Sequence, residues 1–383
     1  VIYMVANFGL GLMRLPVIDD NVEDIDINQL QEMVDISMKN GVNFFDTAYP
    51  YHNGESEKAI KETLVDKYPR DKYILSNKLP LFNIEKEEDM ANIFNIQIQR
   101  CGVEYFDYYM LHNLSTWSKT IFKDVDCFSF IKKLKEEGKA KKIGFSFHDK
   151  PELLKEILDE HPEMDFILIQ INFVDWENES IRACECYEIA LEHDLEVLVM
   201  EPLKGGTIVN MPDSAKKILK DYHPKDSIAK WGLRFSGSLD NVSYVLSGVN
   251  NIEQLKDNIE TFKEFKPITI NEINLLNKVT EIINDSVAIP CTGCGYCLED
   301  GICERHIPIA KYFNLYNQAS LLGFKDFSTQ QIYYRTIGLN PDNGLALECV
   351  DCGECSKICP QHLEISKYLM EVYKEFELTM NDF

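Results

Sequence analysis

The feature that most constrains the fold is a repeated alternation. Short apolar runs at 8–16 (a strand with its turn), 42–46, 73–78, 106–112, 143–147, 166–172, 195–200 and 242–248 read as buried strands. Between them lie stretches with the apolar spacing of amphipathic helices. These fall at 28–39, 55–68, 86–101, 126–137, 151–160, 178–192, 213–220 with 226–235, and 252–262. The punctuation agrees. Asn40-Gly41 stops the first helix, Gly138 stops the one at 126–137 after Lys132, Lys133 and Lys135, and Pro151 opens the next. Eight β/α units in about 260 residues is the size of a (β/α)8 barrel. An open doubly wound sheet would put a glycine-rich turn after the first strand, and Gly9-x-Gly11 is too short a piece of that pattern.

In such a barrel the chemistry sits at the carboxyl ends of the strands. Three consecutive strands end on reactive side chains: Asp46 with Tyr51 five residues on, then Lys78, then His112. Taken singly, a strand-end Asp is usually a cap and a lone His is usually packed or solvated. Four at one rim form a pattern. Asp46-Thr47-Ala48-x-x-Tyr51, Lys78 and His112 resemble the catalytic tetrad of the aldo-keto reductases, a likeness covering about residues 8–262. The resemblance implies Tyr51 as general acid, Lys78 and Asp46 as its tuners, and His112 as the group orienting a substrate carbonyl. Tyr49 is a rival donor, set aside because Tyr51 has the family's spacing from Asp46. The chemistry is coherent. Hydride delivery to a C=O leaves an alkoxide that needs a proton, a free phenol has a pKa near 10, and a neighbouring cation favours the phenolate.

The same resemblance implies a nicotinamide site. Ser146 and Gln170 match the polar residues that hold the carboxamide, and Met200 stands where many members carry an aromatic. Glu201, Pro202, Leu203 and Gly205 match the loop after the seventh strand; Ser247, Gly248, Gln254 and Asn258 match the adenosine side. Loops after the last two strands, with a helix N-terminus, suit phosphate. Gly248 and Gln254 stand where members selective for NADP place cations, and Lys204 and Lys256 are the nearby cations named from sequence. The cofactor is thus NADP or NAD, with weak preference between them.

Past Pro267 the pattern changes. Residues 271–285 read as a helical connector, and from 286 cysteines dominate, with a helix at 306–322 between their two groups. Cys349-x2-Cys352-x2-Cys355-x3-Cys359-Pro360 is the bacterial ferredoxin run for a [4Fe–4S] cluster. Cys291-x2-Cys294-x2-Cys297 is its partner, with Cys303 after a lengthened spacing. Structural zinc sites instead use well-separated ligand pairs. In two-cluster ferredoxins the fourth cysteine of each run serves the other cluster. That assigns Cys291, Cys294, Cys297 and Cys359 to one cluster, and Cys349, Cys352, Cys355 and Cys303 to the second. Cys101, Cys127, Cys184 and Cys186 read as small buried apolar residues.

The organisation expected is therefore a barrel at 1–266, a connector at 267–285 and a small α-rich ferredoxin-like domain at 286–383. The whole resembles the iron–sulfur branch of the aldo-keto reductases. With 39 basic against 63 acidic residues the net charge is −24, which argues against nucleic acid and anionic membrane surfaces. No apolar run approaches the roughly 20 residues of a membrane span, and no secretory signal is read. Iron–sulfur clusters imply a cytoplasmic setting. The functional expectation is reduction of a small aldehyde or ketone, or the reverse alcohol oxidation. A redox partner protein or a bound flavin is left open, because a cluster takes one electron and nicotinamide moves two. The rival expectations are an electron-transfer module and a redox sensor.

Overall fold

The computed structural model describes residues 7–377 apart from Asp20, Trp117, Ser180, Asp300 and 322–328. The strands are β1 (Asn7–Gly11), β2 (Phe44–Asp46), β3 (Ile74–Pro80), β4 (Phe106–Leu114), β5 (Ala140–Phe147), β6 (Phe166–Gln170), β7 (Glu196–Met200) and β8 (Val242–Gly248). They close in sequence order into a barrel, each parallel to its neighbours, with β8 pairing back on β1 through Asn7 to Tyr244 and Gly11 to Gly248. The (β/α)8 barrel read from the alternation is the observed fold.

The helices, in order, are α1 (Ile27–Lys39), α2 (Glu55–Ile60), α3 (Glu87–Cys101), α4 (Lys119–Asp124), α5 (Cys127–Glu136), α6 (Pro151–Glu160) and α7 (Ala183–Glu192). They continue with α8 (Asp213–Tyr222), α9 (Ile228–Gly237), α10 (Ile252–Lys263), α11 (Ile270–Ser286), α12 (Ile309–Leu321), α13 (Thr329–Gly338), α14 (Glu354–Lys357) and α15 (Ile365–Phe376). The helix read at 306–322 is α12, and its last position lies outside the described residues. Among the described residues no helix is long and apolar enough to cross a membrane.

The barrel interior is filled by Phe44, Tyr108, Met110, Phe166, Leu168, Leu198 and Leu246. Phe44 meets Tyr244 and Tyr108 at 4.3 and 5.1 Å between ring centroids, edge-on in the second case. At the amino end of the strands a polar plug closes the core: Tyr108 donates to Glu196 at 2.9 Å, and Lys142 pairs with Glu196. Gly144 lets β5 and β6 approach, since a Cβ there would sit 2.1 Å from the carbonyl oxygen of Phe166.

The chain forms two compact units that interleave along the sequence. One comprises residues up to Leu203 together with His223–Ile273; the other comprises Lys204–Tyr222 and Asn274–Phe383. The segment 204–222, carrying α8, therefore belongs with the cysteine-bearing chain. No periodicity argument divides a sequence that way. The second unit is built from helices around Ile289, Ile307, Tyr312, Phe313, Tyr334, Ile365, Leu369, Val372 and Phe376. Asn317 ties its entry, accepting from the N–H of Ile289 and donating to its carbonyl at 2.8 and 2.7 Å.

Candidate active site

Asp46 is the last residue of β2 and is buried. Lys78 lies within β3, 1 % exposed, and its Nζ donates to Asp46 Oδ2 at 2.6 Å and to the carbonyl of Thr47 at 2.7 Å. Burial pushes the Lys78 ammonium below the usual lysine range, and Asp46 offsets part of that shift. The same Nζ lies 4.7 Å from the centroid of the Tyr51 ring. The Tyr51 and His112 rings stand edge to face at 6.1 Å. Tyr49, the rival donor, instead has Arg100 over its ring at 4.7 Å.

Each member is held from behind. Beneath Lys78, Gln97 donates to its carbonyl at 2.9 Å and to Asn77 Oδ1 at 2.8 Å, while Tyr109 donates to Gln97 Oε1 at 2.7 Å. Asn77 donates to the buried Glu57, which pairs with Arg100 at 3.1 Å. The turn after Tyr51 is fixed by two left-handed residues, His52 (φ 53) and Asn53 (φ 54). His52 Nε2 accepts from the N–H of Leu15 at 3.1 Å, which assigns the proton to Nδ1, donating to the Val22 carbonyl at 2.6 Å. Around His112 the β4–β5 register shifts between Leu111 and Leu114, with Asn113 at φ 62. Such irregularities re-aim side chains next to active sites. Burial, with Lys78 and His148 nearby, pushes the His112 imidazole well below its ordinary value. It is therefore neutral at pH 7, with one N–H to donate.

The positions named for the cofactor follow the same rim. Ser146 Oγ accepts from the Asn113 N–H at 2.8 Å, and Gln170 donates to the buried Asp175 at 2.6 Å. Asn172 donates to Asp175 and to the Glu201 carbonyl at 2.6 and 3.0 Å. Met200 ends β7, half-buried, with Glu201, Pro202 and Leu203 next in the chain. Glu201 sits at φ 53, and its Oε2 is buried with no hydrogen-bond partner among the described residues. An acceptor held that way suits a ligand bearing hydroxyl or amide donors. Asn258 donates to Ser247 at 3.0 Å. Asn251 caps α10, its Oδ1 accepting from the N–H of Gln254, whose Oε1 accepts from the N–H of Asn250.

Two placements were not legible in sequence. Arg14, in the loop after β1, reaches Glu201 at 3.5 Å, and its stem runs alongside Gly248. It supplies a cation beside the position where sequence showed none. Lys204 and Gly205, read with the cofactor loop, belong to the second compact unit. Nothing along the chain signals either fact, because both depend on which distant segments fold together.

In the second unit a pocket of about 340 Å³ empty space is lined by Cys291, Cys294, Cys297 and Cys359 with Ile309, Phe313, Leu363 and Ile365. Burial pushes the Cys297 thiol up, and the nearby thiols of Cys294, Cys291, Cys359 and Cys355 push the same way. Cys355 is pushed up to about 11 by burial and by Cys303, Cys349 and Cys352. The electrostatic neighbours thus fall mainly into two sets of four, each joining three cysteines of one run to the fourth of the other. Among the described residues no three His, Cys, Asp or Glu side chains converge closely enough for a single ion.

Residues 7–281 match the family model described as the aldo/keto reductase family. This chain belongs to that family. Residues 290–364 match the 4Fe-4S dicluster domain, so this aldo-keto reductase carries an iron–sulfur, ferredoxin-like extension. Its relatives include an uncharacterized oxidoreductase of Bacillus subtilis, 22% identical over 72% of this chain and 93% of the relative. An NADH-specific methylglyoxal reductase of Escherichia coli is 27% identical over 48% of this chain and 57% of its own. Among solved structures, an aldo-keto reductase of Bacillus halodurans in its holo form aligns with a TM-score of 0.58 at 24% identity, over 72% of this chain and 92% of that one. One from Klebsiella pneumoniae in complex with NADPH aligns at 0.58 and 16%, over 73% and 96%. At these identities the solved structures establish the fold alone. The chain is an oxidoreductase of the aldo-keto reductase family, and its reactive rim is where that family's fold puts its chemistry.

Proposed function

We propose that this aldo-keto reductase reduces a small aldehyde or ketone, with Tyr51 as the general acid. The observation that carries the reading is the buried Lys78 ammonium, held by Asp46 at 2.6 Å and lying over the Tyr51 ring at 4.7 Å. A cation so placed stabilises negative charge on the phenolic oxygen as the proton leaves. Neutral His112 donates its N–H to the carbonyl oxygen and so fixes which atom receives Tyr51's proton. Nicotinamide, when bound, would supply the hydride. Ser146 and Gln170 would hold its carboxamide, with Met200, Glu201, Pro202 and Leu203 along the loop after β7 and Ser247, Gly248, Gln254 and Asn258 at the adenosine end. The buried Glu201 Oε2 supports this, being an acceptor that a ribose hydroxyl or carboxamide can satisfy.

The cysteine-bearing unit would hold two [4Fe–4S] clusters, one on Cys291, Cys294, Cys297 and Cys359, the other on Cys349, Cys352, Cys355 and Cys303. The pocket that Cys291, Cys294, Cys297 and Cys359 line together supports that crossed assignment. Such clusters pass single electrons, which suits exchange with a partner protein or a flavin.

The test is anaerobic purification followed by oxidation of NADPH or NADH with a panel of small aldehydes and ketones. Carbonyl-dependent oxidation is expected, together with about eight iron and eight sulfide per chain. Nicotinamide binding without turnover on any carbonyl would sink the enzymatic reading; stoichiometric zinc without sulfide would sink the cluster reading.

Cofactor choice gives a second expectation. Arg14 brings positive charge beside Gly248, yet its guanidinium is shared with Glu201. Preference for NADPH over NADH should stay below a hundredfold, about 2.7 kcal/mol, and should fall toward unity in Arg14→Met. Fluorescence titration with both nicotinamides measures it, and an unchanged ratio in the variant would remove Arg14 from the site.

A further inference from the structure

The two cysteine runs are halves of an internal repeat that extends past the cysteines. Gly293 (φ 65) and Asp351 (φ 54) are both left-handed two residues after the first cysteine of each run. Gly295 (φ 86) and Gly353 (φ 79) are both left-handed one residue after the second. His306 (φ 49) and His362 (φ 52) repeat the pattern three residues after the fourth cysteines, their backbone N–H groups donating to the carbonyls of Cys303 and Cys359 at 2.9 and 3.0 Å. The first half merely carries two extra residues between its third and fourth cysteines. Built this way, the two thiol sets would have similar surroundings.

The halves differ two residues beyond their fourth cysteines. Two residues after Cys303 stands Arg305, exposed to solvent. Two residues after Cys359 stands Gln361, buried in the wall of the pocket lined by Cys291, Cys294, Cys297 and Cys359. Gln361 Oε1 accepts from Lys204 Nζ at 3.2 Å, and Lys204 is itself only 6 % exposed. Lys204 reaches this unit from far away in sequence, and the backbone is shaped for the delivery. Lys204 is left-handed (φ 49), as is Gly205 (φ 61). A Cβ on Gly205 would lie 2.3 Å from the carbonyl oxygen of Thr292, which lines the same pocket beside Cys291. Only glycine lets the loop close onto the cysteine run and set the ammonium behind Gln361.

We propose that Lys204 is a potential-setting residue. It raises the reduction potential of the cluster on Cys291, Cys294, Cys297 and Cys359 above that of the other, so that a single electron entering the unit rests there. The inference rests on the cluster reading given above. Reduction adds one negative charge to the cluster with no change at Lys204. A cation buried one side chain behind the pocket stabilises that added charge in a medium where water screens poorly. Net local charge and hydrogen bonding are among the factors that set cluster potentials. Arg305 leaves the other half without this help, because solvent screens an exposed charge.

The experiment is an EPR-monitored redox titration of the full chain purified without air, with iron and sulfide measured on each sample. The wild type should show two resolved one-electron transitions. In Lys204→Met the higher should fall at least tenfold in its equilibrium constant, about 59 mV for one electron, while the lower stays in place. Lys204→Arg, which keeps the charge, should hold the wild-type value. If Lys204→Met loses iron, the near-isosteric Gln361→Glu decides, since a carboxylate set against the ammonium should lower the same transition. Unchanged potentials, or equal shifts of both transitions, in variants with full iron would overturn the proposal. A wild type without iron and sulfide would overturn the cluster reading beneath it.

Discussion

Tyr51→Phe should abolish carbonyl reduction while leaving nicotinamide binding nearly intact. The substitution removes one hydroxyl and keeps the ring that lies beside Lys78 and His112. Only the proton is lost, so the effect should fall on turnover and not on cofactor affinity. Positioned proton transfer is worth roughly 10² to 10⁴ in rate, and a drop within that range is expected in single-turnover measurements. Lys78→Met should show a comparable loss but with a shifted pH profile, because it leaves the phenol and removes the cation that favours its ionisation. Wild-type turnover in Tyr51→Phe would direct attention to Tyr49, which Arg100 rather than Lys78 accompanies.

The largest stability effect is expected at Arg234. Its guanidinium grips Glu272 in two bonds, 2.7 and 3.0 Å, with both side chains almost fully buried, and it also donates to the carbonyls of Lys266 and Pro267 at 2.7 and 3.1 Å. One side chain of α9 thus fastens the stretch where the chain leaves α10. Burial alone would raise the Glu272 carboxyl, but hydrogen bonds from Arg234 and Thr269 outweigh it and hold it at about 2. Arg234→Met leaves that carboxylate with Thr269 and His223 but without its guanidinium, and breaking a buried pair from one side costs about 3 to 5 kcal/mol. That is a large share of the roughly 5 to 15 kcal/mol of a typical domain. The sign of the pH dependence follows from the depressed value. Stability from the pair is present above the ordinary carboxyl pKa of about 4.3 and is lost as pH falls from there toward 2. Urea unfolding at pH 7 and pH 3 should show wild type and Arg234→Met far apart at the first and closer at the second. A constant gap would refute the linkage, and Arg234→Met with Glu272→Leu should recover much of the loss.

The strands were legible because buried parallel strands are written as nearly unbroken apolar runs, and the run at 242–248 matches β8 to the residue. Helix starts were harder. The helix read from 178 begins only at Ala183, because Asn178 Oδ1 accepts from the N–H of Ile181 and Arg182 is left-handed (φ 51), which holds the preceding chain in a turn. The helix read at 55–68 is α-helical only to Ile60 and then widens into a π turn at Lys61–Val65. In the cysteine-bearing chain, α13 and α15 passed unnoticed beside the stronger signal of the cysteines. Asp46 ends β2 as read, whereas β3 and β4 run two residues past Lys78 and His112, to Pro80 and Leu114. The placements of Arg14 and Lys204 could not be read, since they rest on contacts with residues some 230 and 157 positions away.

The interleaving of the two units bears on the order in which the chain can mature on the ribosome. Ile208, Met211, Ala215 and Leu219 are fully or almost fully buried, and they belong with residues 274–383, which are made after them. Until then this apolar patch waits uncovered in the crossover between β7 and β8. A gene shortened after residue 273 would leave it uncovered for good, inviting aggregation. The cysteine-bearing extension therefore cannot be treated as a detachable cargo, and chimeras that swap it must carry 204–222 along.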